Sequence, residues 1–169
     1  MYNGGEQCIR QYLGDGFTDL ADCTLRGRLI NGERLLGQWT EAYARTLRPR
    51  LLLGRFRGEL KGLGARGTKW KEELLLGGEL AAARLTRHLR PGTATFYAQA
   101  IDPKVVLGLV LRADAEGNVD FRRRFWIFPG EVPRLVPTLL VYADLLAIGD
   151  ARCLETAQFL HGQLLDRLV

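Results

Sequence analysis

The first place to look for chemistry is Glu59-Leu60-Lys61, an acid and a lysine one residue apart. In some metal-dependent nucleases such a triplet supplies a metal ligand and a base. That reaction needs a second acid at the metal, and the nearest acids upstream are Asp22, Glu33 and Glu41. Triplets of this kind recur by chance in a charged chain, so a nuclease-like domain is an alternative reading only. Gly77-Gly78-Glu79 could offer backbone amides to an anion at a helix start. Glu79 in that first turn would repel a phosphate and favours the helix dipole, so the triplet reads as a turn. Asp144 stands in an apolar stretch, where a buried acid requires a partner; a hydrogen bond to a tyrosine or an arginine would supply it. Cys153 reads as a small core residue. Cys8, Cys23 and Cys153 form no CxxC pair, and His88 and His161 lie far apart, so no metal centre is expected. The nucleotide and hydrolase motifs GxxxxGK[ST], HExxH and GxSxG are absent. No catalytic residue and no cofactor is expected.

With 47% hydrophobic and 25% charged residues, the 169-residue chain has the composition of an ordinary globular protein. No apolar run approaches the roughly 18–20 residues of a membrane span; the longest, Leu135 to Ile148, contains Pro137 and Asp144. The stretch MYNGGEQCIR lacks the apolar core of a secretory signal, and an odd number of cysteines suits a reducing cytosol. The expected location is cytoplasmic. Net charge is +5 and uneven: Thr24 to Arg66 holds ten Arg/Lys against three Glu, a local net of +7. The first 23 residues carry −3, and Asp114 to the end carries −2. Such a belt suits a polyanion and equally suits a solvated face. The candidate binding residues are Arg45, Arg48, Arg50, Arg55 and Arg57, joined by Arg122 and Arg124. RNA, DNA or an acidic protein would each fit them.

The elements that must position these groups read as an α+β pattern. Residues 5–13 form a short amphipathic helix stopped at Gly14-Asp15-Gly16, and Leu25–Ile30 suggests a small β-wing. Asn31 is a candidate N-cap for a helix over Gly32–Arg45, with Leu35, Leu36, Trp39, Ala42 and Tyr43 on one face. Arg48-Pro49 marks its end or a kink. Leu51–Phe56 reads as a strand, Arg57–Lys69 as a loop, and Gly78–Arg90 as a helix ended by Pro91-Gly92. Thr93–Ala98 reads as a strand and Lys104–Leu107 as a short helix start, while the following apolar run is ambiguous between helix and strand. Ala115–Asn118 is the clearest turn, and a β-hairpin is expected between Leu109–Arg112 and Val119–Phe125. A helix opening at Pro133 or Pro137 runs to Ala147; Gly149 caps it, and Asp150 starts a last helix over Arg152–Leu168.

The stretch Val136–Ala147, VPTLLVYADLLA, followed by Gly149–Ala157, GDARCLETA, resembles the C-terminal signature of AbiEi-family antitoxins of type IV, abortive-infection toxin–antitoxin systems. Further pieces occur in the family's order: Trp39–Tyr43 with Leu47-Arg48-Pro49, Gly77-Gly78-Glu79 with Ala81-Ala82 and Leu85-Thr86, Leu89-Arg90-Pro91, and Gly117-Asn118-Val119 before Phe125-Trp126. The resemblance covers roughly Asn31 to Leu160. Ala151 stands where the family usually has Pro, Cys153 where it has Asn, and Arg87-His88 where it has Gly-Tyr. The resemblance implies a non-enzymatic, two-part regulator. A winged helix-turn-helix would bind operator DNA, and a C-terminal α+β domain would counter a nucleotidyltransferase-like toxin without a stable complex. In this sequence Gly4–Leu13 would take the place of the recognition helix and Leu25–Ile30 that of the wing. The expected organisation is therefore a partial winged-helix remnant over 1–30 and an antitoxin domain over 31–169, with specific DNA binding by this chain in question. A nucleic-acid-binding module without a toxin partner is the alternative.

Overall fold

The computed structural model describes residues 24–25, 28–29, 32–70, 74–127 and 130–168. The expected first helix over 5–13 and the N-cap Asn31 lie outside them. A two-residue antiparallel ladder, β1 (Thr24–Leu25) with β2 (Arg28–Leu29), falls in the segment read as a wing. Helix α1 (Gly32–Ala42) buries Leu35, Leu36 and Trp39 at helical spacing. Contrary to the expected end at Arg45, the chain stays helical. It passes through a π-helical segment, Tyr43–Leu47, into a three-residue turn, α2 (Arg48–Arg50). The wider turn lies just before Pro49, which has no amide to donate, and the Arg48 amide reaches back five residues to the Tyr43 carbonyl.

Five strands form one mixed sheet in the order β4 (Leu75–Gly77), β5 (Ala94–Ala98), β7 (Val119–Arg123), β3 (Leu52–Arg57), β6 (Arg112–Ala113). The central pair β5 and β7 is parallel, and the other pairs are antiparallel. Every residue of β5 is buried, as the run ATFYA requires of a strand covered on both faces. The expected hairpin is not formed. The turn is present, with the Gly117 amide bonded to the Asp114 carbonyl, but β3 lies between β6 and β7 and pairs with both. Gly117 passes so close to β3 that a Cβ there would lie 2.0 Å from the Phe56 carbonyl oxygen. Upstream, Asp102 accepts the Lys104 amide and Pro103 opens helix α5 (Pro103–Gly108), so the ambiguous apolar run Val105–Leu111 is helical only as far as Gly108. Val110 then turns through φ +57°, so the strand expected over Leu109–Arg112 shrinks to β6.

Helices α1, α4 (Gly78–Thr86), α6 (Thr138–Ile148) and α7 (Ala151–Leu168) pack on one another, and α4 lies against β5. A five-residue helix, α3 (Leu63–Gly67), forms inside the segment expected to be a loop and lies against β4. Gly62, Gly64 and Gly67 of that segment have GxGxxG spacing. Here the spacing serves packing: a Cβ at Gly67 would meet the Phe96 ring at 2.7 Å, and the helix is too short for a dinucleotide fold. Helix α4 stops four residues early because Arg87 takes a left-handed cap at φ +55°, with Leu89 buried just beyond. Helix α6 is apolar on every side and sits in the centre. Thr138 opens it by donating its amide and hydroxyl to the Glu131 carboxylate. Gly149 at φ +74° ends it, and Asp150 caps α7 by accepting the Cys153 amide at 2.7 Å. The observed class is α+β, as expected.

Candidate functional site

Asp144, fully buried on α6, gathers the chain around it. Its Oδ1 accepts from the Tyr43 hydroxyl at 2.8 Å, Arg48 Nε at 3.0 Å and the Tyr97 hydroxyl at 3.1 Å. Its Oδ2 accepts from the same Tyr97 hydroxyl at 2.9 Å and from the Gly78 amide at 3.2 Å. The two tyrosine oxygens are 2.7 Å apart, so two protons are shared among these approaches. In a π-turn, residues five apart come to one side, which lets Tyr43 and Arg48 reach a single acid. Trp39 stacks on Tyr43 at 5.4 Å and fixes its ring. Burial first, and then the Asp144 charge, holds the Tyr43 and Tyr97 hydroxyls well above the ordinary phenol range, so both remain protonated donors. Burial works against the Arg48 charge, but Asp144 and the tyrosines outweigh it and raise its pKa. This is the tyrosine-or-arginine pairing expected for Asp144, with both partner types present.

A second carboxylate organises the sheet. Arg55 on β3 and Asp120 on β7 are register partners, and Arg55 Nε donates to Asp120 Oδ1 at 2.7 Å. Arg122, two residues along β7 and only 3% exposed, donates to Asp120 Oδ2 at 2.7 Å and to the Arg48 carbonyl. Its Nε has no partner among the described residues. The Arg55 pKa is raised chiefly by its bond to Asp120. Beside Asp120 lies a polar cleft of about 220 Å³ lined by Arg48, Arg55, Thr93, Thr95, Asn118 and Asp120. Glu79 stands in the first turn of α4, as expected, and is buried beside this region. It accepts the Gly92 and Thr93 amides and the Thr93 hydroxyl.

The expected arginines thus occupy different settings. Arg45 is 77% exposed beside Glu41, and Arg50 is exposed. Arg57 is half exposed, held to Asp114 and the Glu116 carbonyl. Arg122 is buried and Arg48 partly buried in ion pairs, and Arg55 is more exposed than either. Arg124 stands apart. It covers the Trp126 ring at 5.7 Å and lines a separate cavity of about 330 Å³ with Tyr97, Asp102 and Phe121. Sequence reasoning did not identify Asp114 and Asp120 as their anchors; the signal was R-x-R on one strand facing D-x-R on another. Glu59 is exposed, and among the described residues no group of three potential metal ligands includes it. Asp22 lies outside them. The one such group, Glu79, Asp150 and Cys153, is tied up in hydrogen bonds to the chain. No described helix is long and apolar enough to cross a membrane.

Neither a curated protein nor a solved structure matches the chain. Residues 28–166 match the family described as "Transcriptional regulator, AbiEi antitoxin, Type IV TA system". That span contains Tyr43, Gly78, Tyr97 and Asp144 and all five strands of the large sheet. The chain belongs to this family of AbiEi antitoxins, transcriptional regulators of type IV toxin–antitoxin systems.

Proposed function

We propose that this protein is the cytoplasmic, non-enzymatic antitoxin for a nucleotidyltransferase-like toxin encoded beside it. The observation that carries this reading is the family match over residues 28–166. In the same proposal residues 1–30 are a partial winged helix and residues 31–169 do the neutralising. The working surface is the basic face, reading a polyanion through its exposed members Arg45, Arg50 and Arg57, with Arg55 beside them. Arg48, bonded to Asp144 through Nε, and Arg122, bonded to Asp120, brace that face. No stable complex with the toxin is needed if both act on a shared nucleic acid.

The test is growth rescue. The neighbouring toxin is induced with and without the 169-residue chain, and with an Arg45→Glu/Arg50→Glu/Arg57→Glu variant whose melting temperature matches the wild type. Rescue by the wild type and its loss in the variant are expected. A folded, expressed wild type that leaves the toxin fully active would overturn the antitoxin reading.

A further inference from the structure

The cleft lined by Arg48, Arg55 and Asp120 has a property that the family and the basic face do not account for. Arg48 and Arg55 both line it, and each is tethered through Nε to a carboxylate on the protein side. Tethering at Nε fixes the plane of a guanidinium and leaves its outer Nη edge as the donor pair. Among the described residues, neither acid bond uses an Nη atom of Arg48 or Arg55; one Nη of Arg55 donates to the Ala115 carbonyl. Two like charges are thus held at one cleft, and Arg48 acts against the charge on Arg55. Asp120 also lines the cleft, but Arg55 and Arg122 grip its two oxygens, so it is neutralised from both sides. Of the charged residues that line the cleft, Arg48 and Arg55 outnumber Asp120 by one charge. Thr95 adds a hydroxyl to the wall, while the Thr93 hydroxyl donates to Glu79 and the Asn118 amide to the Gly58 carbonyl.

We propose that this cleft binds a terminal phosphate group, the dianionic end of a nucleotide or of a nucleic-acid strand. A volume of about 220 Å³ is below that of drug-sized pockets and suits a phosphoryl group with part of its sugar. Two oriented guanidinium edges match the oxygens of a phosphomonoester, and a net positive setting favours a dianion over a monoanionic diester. A concave site also selects a chain end over a continuous backbone. The proposal goes beyond toxin neutralisation, and phosphate binding succeeds or fails whether or not the chain rescues growth.

The experiment titrates the intact chain with inorganic phosphate and adenosine 5′-monophosphate, with adenosine as the uncharged control. The readout is the set of arginine Nε–Hε resonances together with calorimetry. A second arm compares 5′-phosphorylated with 5′-hydroxyl single-stranded oligonucleotides and separates the two sources. Saturable phosphate binding that moves the Arg48 and Arg55 signals is expected, weakened about tenfold in Arg55→Gln, the loss of one charge-assisted bond. Arg84→Gln, which removes an exposed charge on α4 outside both the cleft and the basic face, should bind as the wild type does. Equal weakening in both variants would mean diffuse attraction and overturn the site. So would the absence of saturable binding by any phosphate probe in a protein whose melting curve is unchanged.

Discussion

Replacing Asp144 by alanine removes the acceptor shared by Tyr43, Tyr97, Arg48 and Gly78. The two hydroxyls retain each other at 2.7 Å, so one of their protons keeps a partner. The Gly78 amide does not, and a buried unsatisfied donor costs about 1–3 kcal/mol. Arg48 loses its counter-charge, and breaking one partner of a buried pair costs about 3–5 kcal/mol. Arg48 is 17% exposed, so its head group can turn partly to water, and the lower end of that range applies. The expected loss is about 4–5 kcal/mol, a large share of the roughly 5–15 kcal/mol that holds a domain together. At about 2–4 °C per kcal/mol this lowers Tm by about 10–15 °C. Asp144→Asn keeps the shape and one acceptor oxygen and should lose about half as much. Urea and thermal melts of both variants measure it. A loss below about 1 kcal/mol in Asp144→Ala would refute the view that this acid ties α6 to the sheet and to the π-turn.

Further outcomes follow from particular residues. Gly117→Ala would place a Cβ 2.0 Å from a backbone oxygen of β3 and should cost about 1–3 kcal/mol, seen in the urea midpoint. The Cys153 thiol is buried, and burial pushes its pKa up to about 12. In a Cys8→Ser/Cys23→Ser background it should react with a disulfide reagent at neutral pH only as the protein unfolds. Asp150 accepts the Cys153 amide and pairs with Arg152, and these contacts lower its pKa. A folded pKa below the unfolded one means a contribution present above the unfolded value and lost as pH falls through the folded value. Amide exchange at the first turn of α7 should therefore rise on acidification through the carboxylate range, and Asp150→Ala should remove that dependence at a cost of about 1 kcal/mol.

The C-terminal half was the most legible part of the sequence. Gly149 and Asp150 are local signals, a left-handed cap and an N-cap, and they placed the α6–α7 boundary to within a residue. The helix through Trp39 was equally clear, but its π-turn was not, because no local pattern marks a one-residue widening before a proline. The turn at Asp114–Gly117 was visible and its consequence was misjudged. A turn of that kind suggests that its own flanks pair, whereas β3 enters from more than fifty residues upstream and separates them. The same long-range register decided the arginines. Composition revealed a basic belt, but which members are free depends on Arg55 facing Asp120 and on Arg48 meeting Asp144, pairings across 65 and 96 residues. Asp144 itself was legible as an acid in need of partners, and its position among apolar residues was the signal.

Fold and function meet in the claim that the exposed arginines engage a polyanion. The most direct test is the salt dependence of duplex DNA and RNA binding by the intact chain, read by fluorescence anisotropy at several ionic strengths. Each phosphate contact contributes about −0.9 to the slope of log K against log salt for duplex DNA. The wild type should show a steep negative slope, and Arg45→Ala/Arg50→Ala/Arg57→Ala should flatten it by about 2–3 while leaving Tm unchanged, since none of these residues is buried. Identical slopes for the two proteins, or wild-type binding that ignores salt, would contradict the assignment of this face.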